Sequence, residues 1–287
     1  MRGHPPLHRV IMKKKLAPIV HMMEVEVSPQ MVTKILPGQF IVIRIDERGE
    51  RIPLTPVMVD GEKGSLTVVF QEVGRSTKRL GALKEGDSIS DVVGPLGRTI
   101  DIKRYGTAVV IGGGIGTACI CPEARALKEV GNRMIGILGF RTSELVILEE
   151  EMRGICDELY ITTDDGTKGR KGLVVDVLKE IIEKGEKVDL VIAVGPTIMM
   201  KVVADLTRKY GISTVASLNP IMVDATGMCG ACRVIVGGET KFTCVDGPSF
   251  DAHLVDFDNL LSRLRMYSDE EKRALELYDK GSGEARG

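Results

Sequence analysis

The 287-residue sequence predicts a two-part architecture, an antiparallel β-barrel followed by a parallel-sheet α/β domain, closed by a small cysteine-bearing module. Three observations predict it. Short β-branched runs separated by regularly spaced turn formers fill residues 8–100. From Thr107 onward, continuous apolar runs alternate with helix-compatible stretches. Near the C-terminus three cysteines gather as Cys229-x2-Cys232-x11-Cys244. The implied boundaries are residues 1–102, 103–219 and 220–287, in keeping with a length that suggests about two domains and an appendage.

Composition narrows the class. With 39 basic and 40 acidic residues the net charge is −1, which gives no electrostatic case for binding nucleic acid or a membrane surface. The run Lys13, Lys14, Lys15 reads as one solvated strand end. No apolar run approaches the roughly 18 residues of a membrane span, and residues 1–6 lack a signal-peptide apolar segment, so a cytoplasmic protein is expected. Asn and Gln together number six, Trp is absent, and Lys, Arg and Glu abound, a mix that points to a thermophilic source. Cys119, Cys121 and Cys156 read as small buried apolar residues. A disulfide at Cys119 or Cys121 stays open, because such cytosols tolerate them.

In the first part, strands are expected near Val10–Lys14, Ile19–Val27, Phe40–Ile45, Ser65–Gln71 and Asp87–Val93. Pro37-Gly38, Gly49, Asp60-Gly61, Gly64, Gly86 and Gly94-Pro95 punctuate them as an antiparallel barrel or sandwich would require. Two loops have further chemistry. Arg51, Pro53, Leu54 and Thr55 set a cation and a hydroxyl around a rigid proline. Gly74, Arg75, Ser76 and Thr77 offer backbone amides, hydroxyls and a guanidinium that suit a pyrophosphate. Ordinary turn chemistry accounts for either loop taken alone.

In the second part, residues 107–111, 133–140, 158–162, 188–194 and 213–218 read as buried strands. Helices are expected at 117–130, 143–153, 171–184 and 197–210. This alternation implies a parallel sheet covered on both faces, with the ligand crevice at the strand C-termini. Gly112, Gly113, Gly114, Ile115 and Gly116 follow the first strand and open a helix, where glycines let backbone approach a pyrophosphate. Thr117 stands where the dinucleotide fingerprint has its third glycine. The second strand ends at Arg141 rather than at an acidic residue, so NAD and NADP are not separated. Gly195-Pro196 is a second candidate ligand loop. Asp164 and Asp165 supply too few hard ligands for a metal and suit turn hydrogen bonds or hydroxyl contacts better.

In the last part, Asp224-x4-Cys229-x2-Cys232-x11-Cys244 matches the plant-type iron-sulfur spacing with an aspartate in first place. Thiolates are the soft donors that such iron prefers, and Gly227 and Gly230 permit the turns of a wrapping loop. Zinc is the alternative, although structural zinc sites usually pair two C-x2-C knuckles and only one is present. Residues 257–278 show helical apolar spacing, either as a docking element or as a terminal helix over the core.

With these pieces in order, residues 16–267 resemble the ferredoxin-reductase superfamily, and within it the small subunit of NADH-dependent ferredoxin:NADP oxidoreductases. The motifs carrying the resemblance begin at Pro37, Arg51, Gly94, Gly112, Gly195, Asp224 and His253. A cousin is the electron-transfer subunit of dihydroorotate dehydrogenase, which typically has four cysteines on its cluster, so Asp224 argues against it. The resemblance implies FAD in the barrel, contacted by Arg51, Pro53, Leu54 and Thr55, with Gly74, Ser76 and Thr77 on its phosphates. It implies NAD(H), with NADP(H) open, at Gly112 to Thr117, Arg141, Asp164, Asp165, Gly195 and Pro196. It further implies a 2Fe-2S cluster on Asp224, Cys229, Cys232 and Cys244. The partner it implies is a larger FAD/4Fe-4S subunit, together forming a heterodimer that bifurcates electrons between NADH, NADPH and ferredoxin. Two departures stand out: Pro53-Leu54 replaces an aromatic common in flavin reductases, and the segment from Gly116 to Pro122 lacks the Ala-Pro common after the glycines, with Cys119 and Cys121 changing the packing under the loop. No acid/base residues are expected to be catalytic, and His4, His8, His21 and His253 read as surface or capping residues. A zinc-stabilised binding protein without flavin is the non-enzymatic alternative.

Overall fold

The computed structural model describes residues 8–284. His4 and the N-terminal stretch read for a signal segment lie outside the described residues.

The first domain comprises β1 (His8–Ala17), β2 (Val20–Glu26), α1 (Pro29–Val32), β3 (Phe40–Arg44), β4 (Ile52–Leu54), β5 (Pro56–Asp60), β6 (Ser65–Gln71), α2 (Arg75–Ala82), β7 (Ser88–Ile89) and β8 (Asp91–Leu96). Its strands form two antiparallel sheets, ordered β5-β6-β2-β1-β7 and β4-β3-β8. Met23, Val25, Ile41, Ile43, Leu66, Val68, Phe70 and Ile89 fill the space between them, each at most 1% exposed. Alternate positions along each strand turn inward, so the period-2 pattern generates this core directly.

The second domain comprises β9 (Thr107–Gly113), α3 (Gly116–Glu129), β10 (Arg133–Phe140), a 3-10 turn at Ser143–Leu145, α4 (Glu149–Ile155), β11 (Glu158–Thr163), β12 (Arg170–Lys171), α5 (Val174–Glu183), β13 (Leu190–Val194), α6 (Thr197–Lys209) and β14 (Ser213–Ser217). The remaining elements are β15 (Arg233–Val236), β16 (Glu239–Phe242), α7 (Thr243–Asp246), β17 (Ser249–Asp251), α8 (Phe257–Arg263) and α9 (Ser268–Glu284). The sheet runs β12-β11-β10-β9-β13-β14-β17, parallel except for β17, which pairs antiparallel with β14. Ala108, Val110, Leu138 and Ile192 bury one face, while Val109, Ile111, Ile137 and Val191 bury the other. Each buried valine, leucine or isoleucine among them contributes about 1.5–3 kcal/mol relative to exposure.

The first of these cores does not stop at the domain edge. Val20, Met22, Val57, Val69 and Ile100 of the barrel pack into it beside Ala118, Ile120 and Ala124 of α3. The two domains therefore share apolar surface along α3.

Several expectations need correction. The helix foreseen at 143–153 is broken by Leu148, which takes a left-handed conformation (φ 54°) and separates the 3-10 turn from α4. The apolar segment 257–278 forms two helices rather than one: α8 buries Leu260 in the core, and Lys78 of α2 pairs with Asp279 of α9. Lys13 is no solvated strand end. It lies within β1, where its ammonium donates to the carbonyls of Gly81 and of Leu83, the latter at 2.9 Å. His21 is buried against Phe70 and pairs with Glu72 at 2.9 Å, because β2 turns it toward the sheet interior. All six cysteines are free, so Cys119 and Cys121 form no disulfide. No helix among the described residues is long and apolar enough to cross a membrane.

Candidate functional site

Parallel pairing brings the candidate nucleotide residues to one edge of the sheet. β9 pairs with β10 on one side and β13 on the other, with Gly139 opposite Gly113 and Val194 opposite Gly112. The chain leaves in opposite directions from β9 and β13, and such a switch point opens a crevice beyond the strand ends. Gly112–Thr117 and Gly195-Pro196 meet there. A Cβ on Gly116 would lie 2.2 Å from the Val194 carbonyl oxygen, and one on Gly195 would lie 2.9 Å from the Gly113 Cα. Only glycine allows these two loops to touch. Gly114 differs: its φ of 54° is left-handed and a Cβ there would meet nothing within 4 Å, so its backbone faces open space. Thr117 is fully buried with its hydroxyl unpartnered among the described residues, so it packs beneath the loop instead of facing the crevice.

Arg141 is exposed at the end of β10. Its carbonyl accepts from the Asp165 amide at 3.3 Å, and the Asp164 amide donates to the Phe140 carbonyl at 3.0 Å. The Asp165 carboxylate accepts from the amide and hydroxyl of Thr167, which holds it below the usual carboxylate range and closes a turn.

On the barrel, Arg51 precedes β4, Pro53 and Leu54 lie within it, and Thr55 links it to β5. Gly74 is the residue before α2, so the segment read as a loop is the first turn of a helix. Thr77 Oγ1 accepts from the amides of Val73 and Gly74, both at 3.0 Å. Ser76 donates to Glu50, which ties this helix start to the Arg51 segment. The sequence carried no signal for that bond, since an acidic residue in a loop is unremarkable.

The cysteine module rests on the barrel. Ala225, Cys232 and Cys244 form a small apolar cluster with Phe40 and Val42 of β3, flanked by Leu96, Met222 and Phe242. The Arg98 amide donates to the Gly247 carbonyl at 2.6 Å, and Arg98 Nε donates to the Val245 carbonyl at 3.1 Å. Cys232 Sγ and Cys244 Sγ lie 3.2 Å apart. Burial and the neighbouring Cys232 push the Cys244 thiol up to about 12. Cys229 is exposed, on a segment bent by left-handed Gly227 (φ 86°) and Gly230 (φ 68°). Asp224 is occupied elsewhere: Oδ2 accepts from the Thr226 amide and hydroxyl, and Oδ1 accepts from Arg51 Nη1 at 2.6 Å. Among the described residues no three His, Cys, Asp or Glu side chains are gathered as a metal site. The donor set still fits an iron-sulfur group. Two thiols face each other, the exposed Cys229 precedes Cys232 on the turn bent by Gly227 and Gly230, and Asp224 joins only by releasing or sharing its Arg51 contact.

With this geometry in view, residues 219–256 match the iron-sulfur cluster binding domain of dihydroorotate dehydrogenase B. The chain is 46% identical, over 99% of both chains, to a Thermotoga maritima homolog of the dihydroorotate dehydrogenase B electron transfer subunit. It is 34% identical over 76% of its length to that electron transfer subunit from Bacillus velezensis, covering 86% of the relative. A chain in the structure of an NADH-dependent reduced ferredoxin-NADP oxidoreductase, described for flavin-based electron bifurcation, superimposes with a TM-score of 0.89. It shares 46% identity, covering 97% of this chain and 99% of that one.

Proposed function

Because this chain belongs to the family of electron-transfer subunits that includes those of dihydroorotate dehydrogenase B, we propose that it exchanges hydride between NAD(H) and FAD and relays single electrons to a larger flavin/iron-sulfur subunit. In this reading the complex is a heterodimer that bifurcates electrons between NADH, NADPH and ferredoxin. Nicotinamide carries electrons in pairs and an iron-sulfur cluster carries them singly, so a flavin between them supplies the conversion.

This chain's residues divide the work. Arg51, Pro53, Leu54 and Thr55 would line the flavin ring, while Gly74, Ser76 and Thr77 would present amides and hydroxyls to its phosphates. Gly112 to Gly116 and Gly195-Pro196 would admit the dinucleotide at the strand edge, with Arg141 and Asp164-Asp165 flanking it. Asp224, Cys229, Cys232 and Cys244 would hold a 2Fe-2S cluster. The observation that carries the reading is the contact of Arg51, beside β4, with Asp224 of the cysteine loop: the two candidate redox sites share a boundary within one chain. The test is steady-state reduction of the purified complex with NADH against NADPH, with and without ferredoxin. NADH reduction and ferredoxin dependence are expected, and NADPH reducing the isolated chain as well as NADH does would defeat the NAD assignment.

The match at residues 219–256 favours a second reading, an accessory role to dihydroorotate dehydrogenase. Copurification separates the two, since a dihydroorotate dehydrogenase in place of a larger flavin/4Fe-4S chain would select the second.

A further inference from the structure

The two residues between Cys229 and Cys232 are Gly230 and Ala231, and each has its carbonyl held by a guanidinium. Arg233 Nη1 donates to the Gly230 oxygen at 3.1 Å, and Arg263 Nη2, reaching across from α8, donates to the Ala231 oxygen at 3.0 Å. Both arginines and Cys229 line one cavity of about 160 Å³ between the cysteine loop and α8. Neither arginine forms an ion pair among the described residues, and Arg263 Nε is buried without a hydrogen-bond partner. Two guanidinium groups outside any ion pair thus grip the turn that carries two of the candidate cluster thiols.

We infer that Arg263, assisted by Arg233, is a positioning residue that fixes the Cys229–Cys232 turn and favours the reduced state of a cluster bound there. The inference rests on the iron-sulfur reading above. Its physical basis is charge. Reduction adds one electron to the site, and a nearby guanidinium screened little by its partly buried setting stabilises the extra negative charge. Burial and the proximity of Arg233 weaken the hold of Arg263 on its own proton, as expected for two like charges facing one loop, while Tyr267 and then Cys232 counter them. The grip on the Ala231 carbonyl keeps this cation beside Cys232 instead of leaving it free in solvent, where counterions would screen it.

The test uses the full complex with Arg263→Leu, Arg263→Gln and Arg263→Lys, measuring iron per chain, the EPR signal of the reduced cluster and its midpoint in a redox titration. Arg263→Leu and Arg263→Gln are expected to keep iron but to lower the reduced-to-oxidised ratio at fixed potential about tenfold, about 59 mV for a one-electron couple. Arg263→Lys should recover part of that shift. Iron retained in Arg263→Gln but lost from Arg263→Leu, with the Arg263→Gln midpoint lowered, also supports the assignment. An unchanged midpoint in Arg263→Gln, or loss of iron from all three variants alike, overturns it and leaves a neutral brace. Absence of iron from the unsubstituted complex would instead defeat the iron-sulfur reading itself.

Discussion

Arg51 holds Asp224 at two points, its Nη1 donating to the carboxylate Oδ1 at 2.6 Å and to the backbone carbonyl at 2.8 Å. The two residues are 173 apart in sequence, and the contact joins the barrel loop to the cysteine loop. With side chains 44% and 23% exposed, the ion pair is screened by solvent and adds little to stability. Its consequence is positional. Arg51→Leu is expected to lower Tm by no more than about 3 °C while amide exchange across residues 224–230 rises several-fold. Exchange that stays at its original rate would show that other contacts hold the loop.

Asp224 offers a hard oxygen where the spacing otherwise supplies thiolates. Hydrogen bonds from Thr226 first, and from Arg51 after it, hold its carboxyl below the usual range, so it is ionised and competent to ligate at neutral pH. Asp224→Cys is expected to retain iron and to move the cluster midpoint, because a softer ligand changes both charge donation and cluster charge. An EPR signal and midpoint identical to those of the unsubstituted protein would mean that Asp224 is not a ligand.

The glycine loop makes a contrast between neighbours. Gly116→Ala places a methyl group 2.2 Å from the Val194 carbonyl oxygen, a backbone atom that cannot swing away. Overpacking of that kind costs on the order of 1–3 kcal/mol, so a Tm drop of roughly 3–10 °C is expected. Gly114→Ala meets open space but must hold a left-handed φ, at a cost of about 1–2 kcal/mol. Its methyl group projects toward the crevice, so KM for the nicotinamide nucleotide should rise more in Gly114→Ala than in Gly116→Ala. The reverse ranking would remove Gly114 from the nucleotide path.

Local patterns were legible where local forces decide. The strands Ser65–Gln71 and Arg133–Phe140 fall at their expected bounds because a periodic or continuous apolar run is a complete description of a buried strand. The first turn of α2 was not legible, since Gly74, Ser76 and Thr77 serve a helix start and a turn equally well. The break at Leu148 also leaves no mark, as leucine ordinarily continues a helix. Docking of Cys232 and Cys244 onto Phe40 and Val42 is a long-range contact with no period. The cysteine spacing therefore revealed a candidate ligand set but neither its barrel support nor the grip of Arg51 on Asp224.

Glu123 was invisible for a related reason: in α3 it looks like an ordinary helix-favouring charge. It is in fact 2% exposed, facing the seam where α3 meets Gly38 and Ile100 of the barrel segment. The thiol of Cys119, one turn earlier, is likewise raised by burial. Among the described residues Glu123 forms no ion pair to offset its burial, which raises its carboxyl from the ordinary 4.5 to about 8. Between those two values the folded chain keeps a proton that the unfolded chain releases. Stability therefore falls as pH rises through this window and levels off above about 8, a loss on the order of a few kcal/mol. Glu123→Gln keeps the shape and removes the charge. Its Tm should equal that of the unsubstituted protein near pH 4.5 and exceed it by several degrees at pH 8.5. Parallel Tm curves across that range would show that the carboxyl finds a partner or water on ionisation and that the seam carries no pH dependence of this origin.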